Sequence, residues 1–364
     1  MKQVMIYAYT RFNFGDDLLI HTLCQRYPDT TFILHAPKAY KHTFKQLENI
    51  RIHPSDTLFA RGIRYIFRKL QLEPLYYQLL ANGCDAAVHV GGSLFMQQAD
   101  WQENVQTTKA ISIKGKPFFL LGANFGPYVE ADFYRQHKKI FQTYTDICFR
   151  EQHSYDLFKD LNNVRKADDI GFQLDKMDTA QEDKSIVISV IKPSIRKHLS
   201  GYDALYYQKM REIAVYFITK GYHVIFISFC EAENDDEAIE KIAQGIPADY
   251  MEHISKHFYR TNIEATLKII ARSQCVVATR FHAMIVGWVF HKPVFPIVYS
   301  DKMTHVLEDI AFNGGTKDFT QLEELTAEQV FNHLQADPID VSKQVNNAAK
   351  QFLKLDAFLT VKKV

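Results

Sequence analysis

Ile186-Val187-Ile188-Ser189-Val190, and then, past residues 204–220 and Gly221, Val224-Ile225-Phe226-Ile227-Ser228-Phe229, form the stretch that decides the fold class. Each run has strand length and is rich in β-branched or aromatic residues. The segment between them carries apolar residues at helical spacing, and Gly221 is the residue type that ends a helix in the left-handed conformation. A strand, a helix and a second strand in that order predict a parallel α/β unit.

The same alternation extends in both directions. Upstream, strands are expected near 4–9, 32–35, 86–90, 118–121 and 147–150, with helices over 16–27, 133–144 and 154–161. Downstream, helices fit 233–243 and 264–272, strands fit 275–278 and 294–298, and 281–290 is the helix between those strands. The polar, unpatterned stretch 175–184 reads as a linker. The expected organisation is an N-terminal Rossmann-like domain over 1–176 and a C-terminal one over 184–338. A helical tail over 339–364 is expected to cross back onto the first domain. Two such units in tandem resemble the GT-B architecture, two Rossmann-like parallel-sheet α/β domains facing a cleft. Ligands of open parallel sheets bind at the carboxyl ends of the strands, so chemistry is sought in the loops after strands.

The composition is that of an ordinary globular chain with material for two cores: 364 residues, 47% hydrophobic and 23% charged. Lys and Arg number 43 against 42 Asp and Glu, so net charge argues against a nucleic-acid partner. Met1–Tyr9 is too short in apolar residues for a signal peptide, and no run reaches the length of a bilayer span. Five scattered cysteines without CxxC spacing read as reduced thiols of a cytoplasmic protein and not as a zinc site. The run Arg61-Gly62-Ile63-Arg64-Tyr65-Ile66-Phe67-Arg68-Lys69 reads first as a basic helix face in water. The alternative is a surface for anionic headgroups or a lipid-linked substrate, which would place the protein peripherally at the inner face of the membrane.

Five constellations fall after strands. Asn13-Phe14-Gly15-Asp16 follows the first strand, where a glycine turn into a helix start suits an anionic or hydroxylated ligand; a plain turn capped near Asp16 is the competing reading. Gly91-Gly92-Ser93 ends the strand at 86–90, and it is neither a Walker A loop nor a dinucleotide fingerprint. Gly122-Ala123-Asn124-Phe125-Gly126-Pro127 ends the strand at 118–121. Arg150, which ends the next strand, offers a planar donor fork for phosphate or carboxylate, against the alternative of a salt bridge; Ser154 is positioned to cap the following helix. The sharpest is Thr279-Arg280-Phe281-His282-Ala283, where a histidine two residues after an arginine at a helix start suits acid–base work beside an anion. The strand 294–298 then delivers Lys302 from its C-terminal loop. His291 and Lys292, before that strand, should be structural or exposed.

In this order the motifs resemble the polysaccharide pyruvyltransferase family: Asn13–Asp16, Gly91-Gly92, Gly122–Pro127, Arg150 to Ser154, Arg280-Phe281-His282-Ala283 and Pro293 to Lys302. The resemblance spans about residues 9–307. It implies transfer of a pyruvyl group from phosphoenolpyruvate to two hydroxyls of a sugar in a cell-surface glycan or its precursor, forming a cyclic ketal and releasing phosphate. It implies Arg280 and His282 as catalytic residues, with His282 as general acid. Arg150, Arg280 and Lys302 would bind the donor, and Asn13, Gly15, Asp16, Gly91, Gly92, Ser93 and Asn124 the acceptor, a sugar or lipid-linked oligosaccharide. Phosphoenolpyruvate is then a substrate; no metal and no cofactor is expected. The alternatives are a GT-B glycosyltransferase using a nucleotide sugar, which calls for a ribose-binding Glu in the second half, a role for which Glu231 and Glu233 could be misread, and a non-catalytic glycan-binding relative.

Overall fold

The computed structural model describes residues 1–113, 115–175, 177 and 183–360; most of the expected linker lies outside them. The chain forms two compact units. One comprises Met1–Thr10, Leu18–Gln173 and Gln344–Val364; the other comprises Arg11–Asp17 and Leu174–Lys343.

The N-terminal unit is built on seven strands: β1 Gln3–Tyr7, β2 Thr31–Ala36, β3 Ile50–Pro54, β4 Ala86–Val90, β5 Phe118–Ala123, β6 Asp146–Phe149 and β7 Val164–Lys166. Their order is β3-β2-β1-β4-β5-β6-β7, every pairing parallel. β4 and β5 are buried along their whole length, as sheet centres covered by helices on both faces must be. The sequence pattern missed β3 and β7 for a visible reason. β3 is an edge strand with Arg51 and His53 exposed, and β7 is three half-buried residues, so neither carries an apolar run.

The tail packs in this unit through Gln351, which is fully buried. Its Oε1 accepts from Gly122 N at 3.0 Å, and its Nε2 donates to the carbonyls of Ala167 and Asp168 at 3.0 and 3.1 Å. Gly122 itself sits at φ +75°, which a side chain would strain.

The C-terminal unit has six parallel strands: β8 Ser185–Ser189, β9 His223–Ser228, β10 Ile254–Phe258, β11 Cys275–Ala278, β12 Val294–Val298 and β13 Lys317–Asp318. Their order is β10-β9-β8-β11-β12-β13. The helix Asp203–Thr219 joins β8 to β9 and ends as the sequence implied. Gly221 is left-handed at φ +79°, with Gly221 N donating to Ile218 O and Tyr222 N to Phe217 O. The chain moves from β8 to β9 on one side, and later to β11 on the other. That reversal opens a crevice at the carboxyl ends of β8 and β11.

Candidate active site

The crevice of the C-terminal unit is built around the corner from β11 into the helix Phe281–Val289. Ser189 Oγ, at the end of β8, accepts from Thr279 N and Arg280 N, both at 3.1 Å, and so fixes that corner. Arg280 is 5% exposed and held by carboxylates from the loop after β9. Its Nε donates to Asp235 Oδ2 at 2.9 Å, its Nη1 to Glu233 Oε2 at 2.7 Å, and its Nη2 to Asp235 Oδ1. Asp235 Oδ2 also accepts from Phe229 N and Cys230 N, at 3.1 and 3.0 Å. Burial outweighs the pull of Arg280 and raises the Asp235 carboxyl to about 6, even with four donors on its two oxygens, two of them from the guanidinium. Burial also acts to raise Glu233, but Arg280 and Arg196 outweigh it and hold this carboxyl at about 2.

Arg196, which the sequence reading did not single out, completes the cluster. It follows β8 between two short 3₁₀ turns. Its Nη2 donates to the same Glu233 Oε2 at 2.5 Å, and its guanidinium lies 4.4 Å from the centre of the Tyr299 ring. From the first turn of the helix Asp301–Asp309, which follows β12, Lys302 Nζ stands 5.4 Å from the Tyr299 ring centre and 6.0 Å from that of Phe281. Three cations thus meet at the ends of β8, β11 and β12. Tyr299 reports their potential. Burial alone would raise its phenol, yet Lys302, Arg196 and Arg280 bring it below the ordinary value. Two buried donors here, Arg196 Nη1 and Ser300 Oγ, have no hydrogen-bond partner among the described residues. A lone arginine four residues from a Lys-Pro turn has no sequence signature, so Arg196 becomes visible only in the tertiary structure.

His282 is half-buried in the first turn of the helix Phe281–Val289. Its neighbour is the Asn13–Asp16 turn, which packs with the C-terminal unit, outside the N-terminal domain to which the sequence reading assigned it. Phe14 N donates to Phe229 O at 2.9 Å, and Asn13 bridges to Cys230. Asp17 accepts from Tyr259 Oη at 2.6 Å. The helix start is capped by Asn13, whose Oδ1 accepts from Gly15 N at 3.0 Å. A Cβ on Gly15 would lie 2.0 Å from His282 Nδ1. The glycine of the first motif is therefore the surface against which the histidine of the fifth one packs.

In the N-terminal unit the expected site residues serve one another. Arg150, expected to bind the donor, is 2% exposed. Its Nη1 pairs with Asp169 Oδ2 at 2.9 Å, and its Nη2 donates to Asn124 Oδ1 at 2.6 Å. Its charge is compensated inside the fold by Asp169, the salt bridge that the sequence offers as the alternative to donor binding. The space over Gly92 is filled by that guanidinium, since a Cβ there would lie 2.5 Å from Arg150 Nη1; over Gly91 the neighbour is Leu94. The space over the paired glycines is thus taken by protein side chains, and buried Asn124 is engaged by Arg150. Ser93 is half-buried, its Oγ 3.4 Å from Asn124 Oδ1. Ser154 is not the cap of its helix: its Oγ accepts from Phe125 N at 2.7 Å and donates to Glu151 Oε1 at 2.6 Å. His291 is exposed and left-handed before β12, and Lys292 beside it is buried. Among the described residues no group of histidine, cysteine or acidic side chains is placed to hold a metal, and no helix is long and apolar enough to cross a membrane.

Two parallel-sheet α/β domains of this kind define the GT-B class. Solved structures of similar fold include Escherichia coli ADP-heptose LPS heptosyltransferase II (TM-score 0.51, 13% identity, 98% of this chain and 100% of that one covered). Two others are Anabaena Alr3699/HepE in complex with UDP and glucose (0.61, 12%, 99% and 99%) and UDP-N-acetylglucosamine 2-epimerase from Rickettsia bellii (0.60, 11%, 99% and 96%). At these identities the likeness is one of fold. The family is carried by the sequence itself: residues 13–301 match the model of the polysaccharide pyruvyl transferases, and the chain belongs to that family.

Proposed function

We propose that this protein transfers the pyruvyl group of phosphoenolpyruvate to two hydroxyls of a sugar in a cell-surface glycan or its precursor. The observation that supports this reading is the gathering of Arg196, Arg280 and Lys302, with two unpartnered donors, beside His282 at one crevice. The donor carries a phosphate and a carboxylate, and both call for cations and N–H or O–H donors. In this reading Arg196 and Lys302 contact the donor, while Arg280 anchors Glu233 and Asp235 and lends its charge. His282 protonates the methylene carbon, which makes C2 electrophilic. One sugar hydroxyl adds to C2, phosphate leaves, and the second hydroxyl closes the ketal. Of the two hydroxyl protons, one balances the proton delivered to carbon and the other departs with phosphate. Asp16, half-buried in the turn that packs against His282, is a proposed acceptor contact. A nucleotide sugar is less well served: Glu233, the carboxylate a ribose would use, is held by two arginines, and Glu231 is exposed beside Arg260.

The test is phosphate release from phosphoenolpyruvate with galactosyl, glucosyl and N-acetylmannosaminyl acceptors, with mass analysis of the sugar for the added pyruvyl group. His282→Ala should abolish turnover while leaving phosphoenolpyruvate binding within a fewfold, because a general acid acts in the transition state. Turnover of a nucleotide sugar with none of phosphoenolpyruvate would refute the proposal.

A further inference from the structure

Of the fifteen large hydrophobic side chains exposed among the described residues, eight fall within the 22 residues from Leu58 to Leu79: Leu58, Phe59, Tyr65, Ile66, Leu70, Leu72, Leu75 and Leu79. Such clustering marks a surface that is covered by something. The segment forms two helices, Leu58–Lys69 and Glu73–Leu80, joined by a tight turn at left-handed Gln71. Thr57 caps the first, its hydroxyl accepting from Ala60 N at 3.2 Å. That helix has no fully buried residue. Ile63 and Phe67 are its half-buried contacts, Phe67 lying 5.7 Å from the Tyr76 ring.

The exposed residues are sorted by face. Phe59, Ile66 and Leu70 recur at i, i+7 and i+11, one stripe of the first helix. Leu72, Leu75 and Leu79 recur at i, i+3 and i+7 along the second. Arg61, Arg64 and Arg68 form the opposite flank of the first helix, with Lys69 at its end and no acidic residue anywhere between Leu58 and Lys69. Arg68 pairs with Glu103 at 2.5 Å, and Arg64 stands against Tyr77.

We infer that this helical hairpin seats the protein on an anionic phospholipid bilayer. An apolar stripe flanked by arginines on a helix without acids matches a surface that is negative at the headgroups and apolar beneath them. A protein partner would be met by a polar rim of both signs, which this helix lacks. Charge complementarity therefore selects the lipid.

The test is co-sedimentation of the full chain with vesicles of phosphatidylglycerol and phosphatidylcholine, or of phosphatidylcholine alone. Wild type should pellet with the anionic vesicles, remain in solution with the neutral ones, and be released by salt. Arg61→Ser with Lys69→Ser removes two charges worth about 1 kcal/mol each near such a surface, so partitioning should fall about thirtyfold. Ile66→Ser with Leu70→Ser should lower it by at least tenfold with unchanged circular dichroism, because both side chains are exposed. The inference is overturned if wild type stays in solution with anionic vesicles, or if the charge variant binds them as wild type does. It is equally overturned if wild type is a dimer in light scattering that Ile66→Ser with Leu70→Ser converts to monomer.

Discussion

Replacing Gly15 with alanine tests the contact on which the proposed chemistry depends. The new Cβ would stand 2.0 Å from His282 Nδ1 and 2.8 Å from its Cε1, where ordinary contact begins at 3.4 Å, so the ring must retreat by about 1.4 Å. Opposing this, alanine is about 1 kcal/mol better than glycine inside a helix, and Gly15 lies in the helix Phe14–Arg26. Global stability should therefore change little, while the geometry at His282 changes by more than an ångström. A misplacement of that size costs on the order of a hundredfold in rate. The expected result is turnover down about a hundredfold, phosphoenolpyruvate affinity by calorimetry within threefold, and a melting temperature within a few degrees. The imidazole resonance of His282 should shift as well, a readout that needs no substrate. Wild-type turnover together with an unshifted resonance would refute the reasoning.

Gly92→Ala is the matched substitution in the other unit: it forces Arg150 off Asp169 and should lower stability by about 3–5 kcal/mol in urea melts, and a melt like that of wild type would contradict the packing. Arg196→Ala and Lys302→Ala should each weaken phosphoenolpyruvate binding about ten- to a hundredfold in calorimetry while leaving the fold intact, since charge-assisted hydrogen bonds contribute about 1.5–3 kcal/mol. Arg280→Ala should instead unfold readily, because it strands Asp235 and Glu233 without their partner; a variant that melts like wild type would show that the carboxylates do not depend on it. Burial holds His89 and His137 at about 4, below their unfolded value near 6.5, so the unfolded chain binds more protons on acidification. Stability should be complete above pH 6.5 and fall by about 3 kcal/mol per histidine toward pH 4; urea melts that are flat across this window would exclude the effect.

The repeating strand–helix pattern, the two-unit organisation and the motif order were all legible in the chain. Each depends on local properties: alternation period, a glycine that ends a helix, residues that follow a strand. The positions of His282 and Lys302 after β11 and β12 were legible for the same reason, since a residue just after a parallel strand lies at the carboxyl end of the sheet whatever the rest of the chain does. Edge strand β3 escaped because an exposed edge needs no apolar run.

What each charged or glycine residue does there was settled by partners remote in sequence. Arg150 and Arg280 look alike in the chain, each following a strand, and each is enclosed by carboxylates, Asp169 for one and Asp235 with Glu233 for the other; only around Arg280 do Arg196 and Lys302 add further cations beside Tyr299. Gly15 and Gly92 likewise read as backbone left open for a ligand, and they prove to be seats for His282 and Arg150. Local pattern specifies which way a strand runs and where it ends. The charge that survives at that end is a sum over neighbours tens to hundreds of residues away, and only the packed chain carries it out.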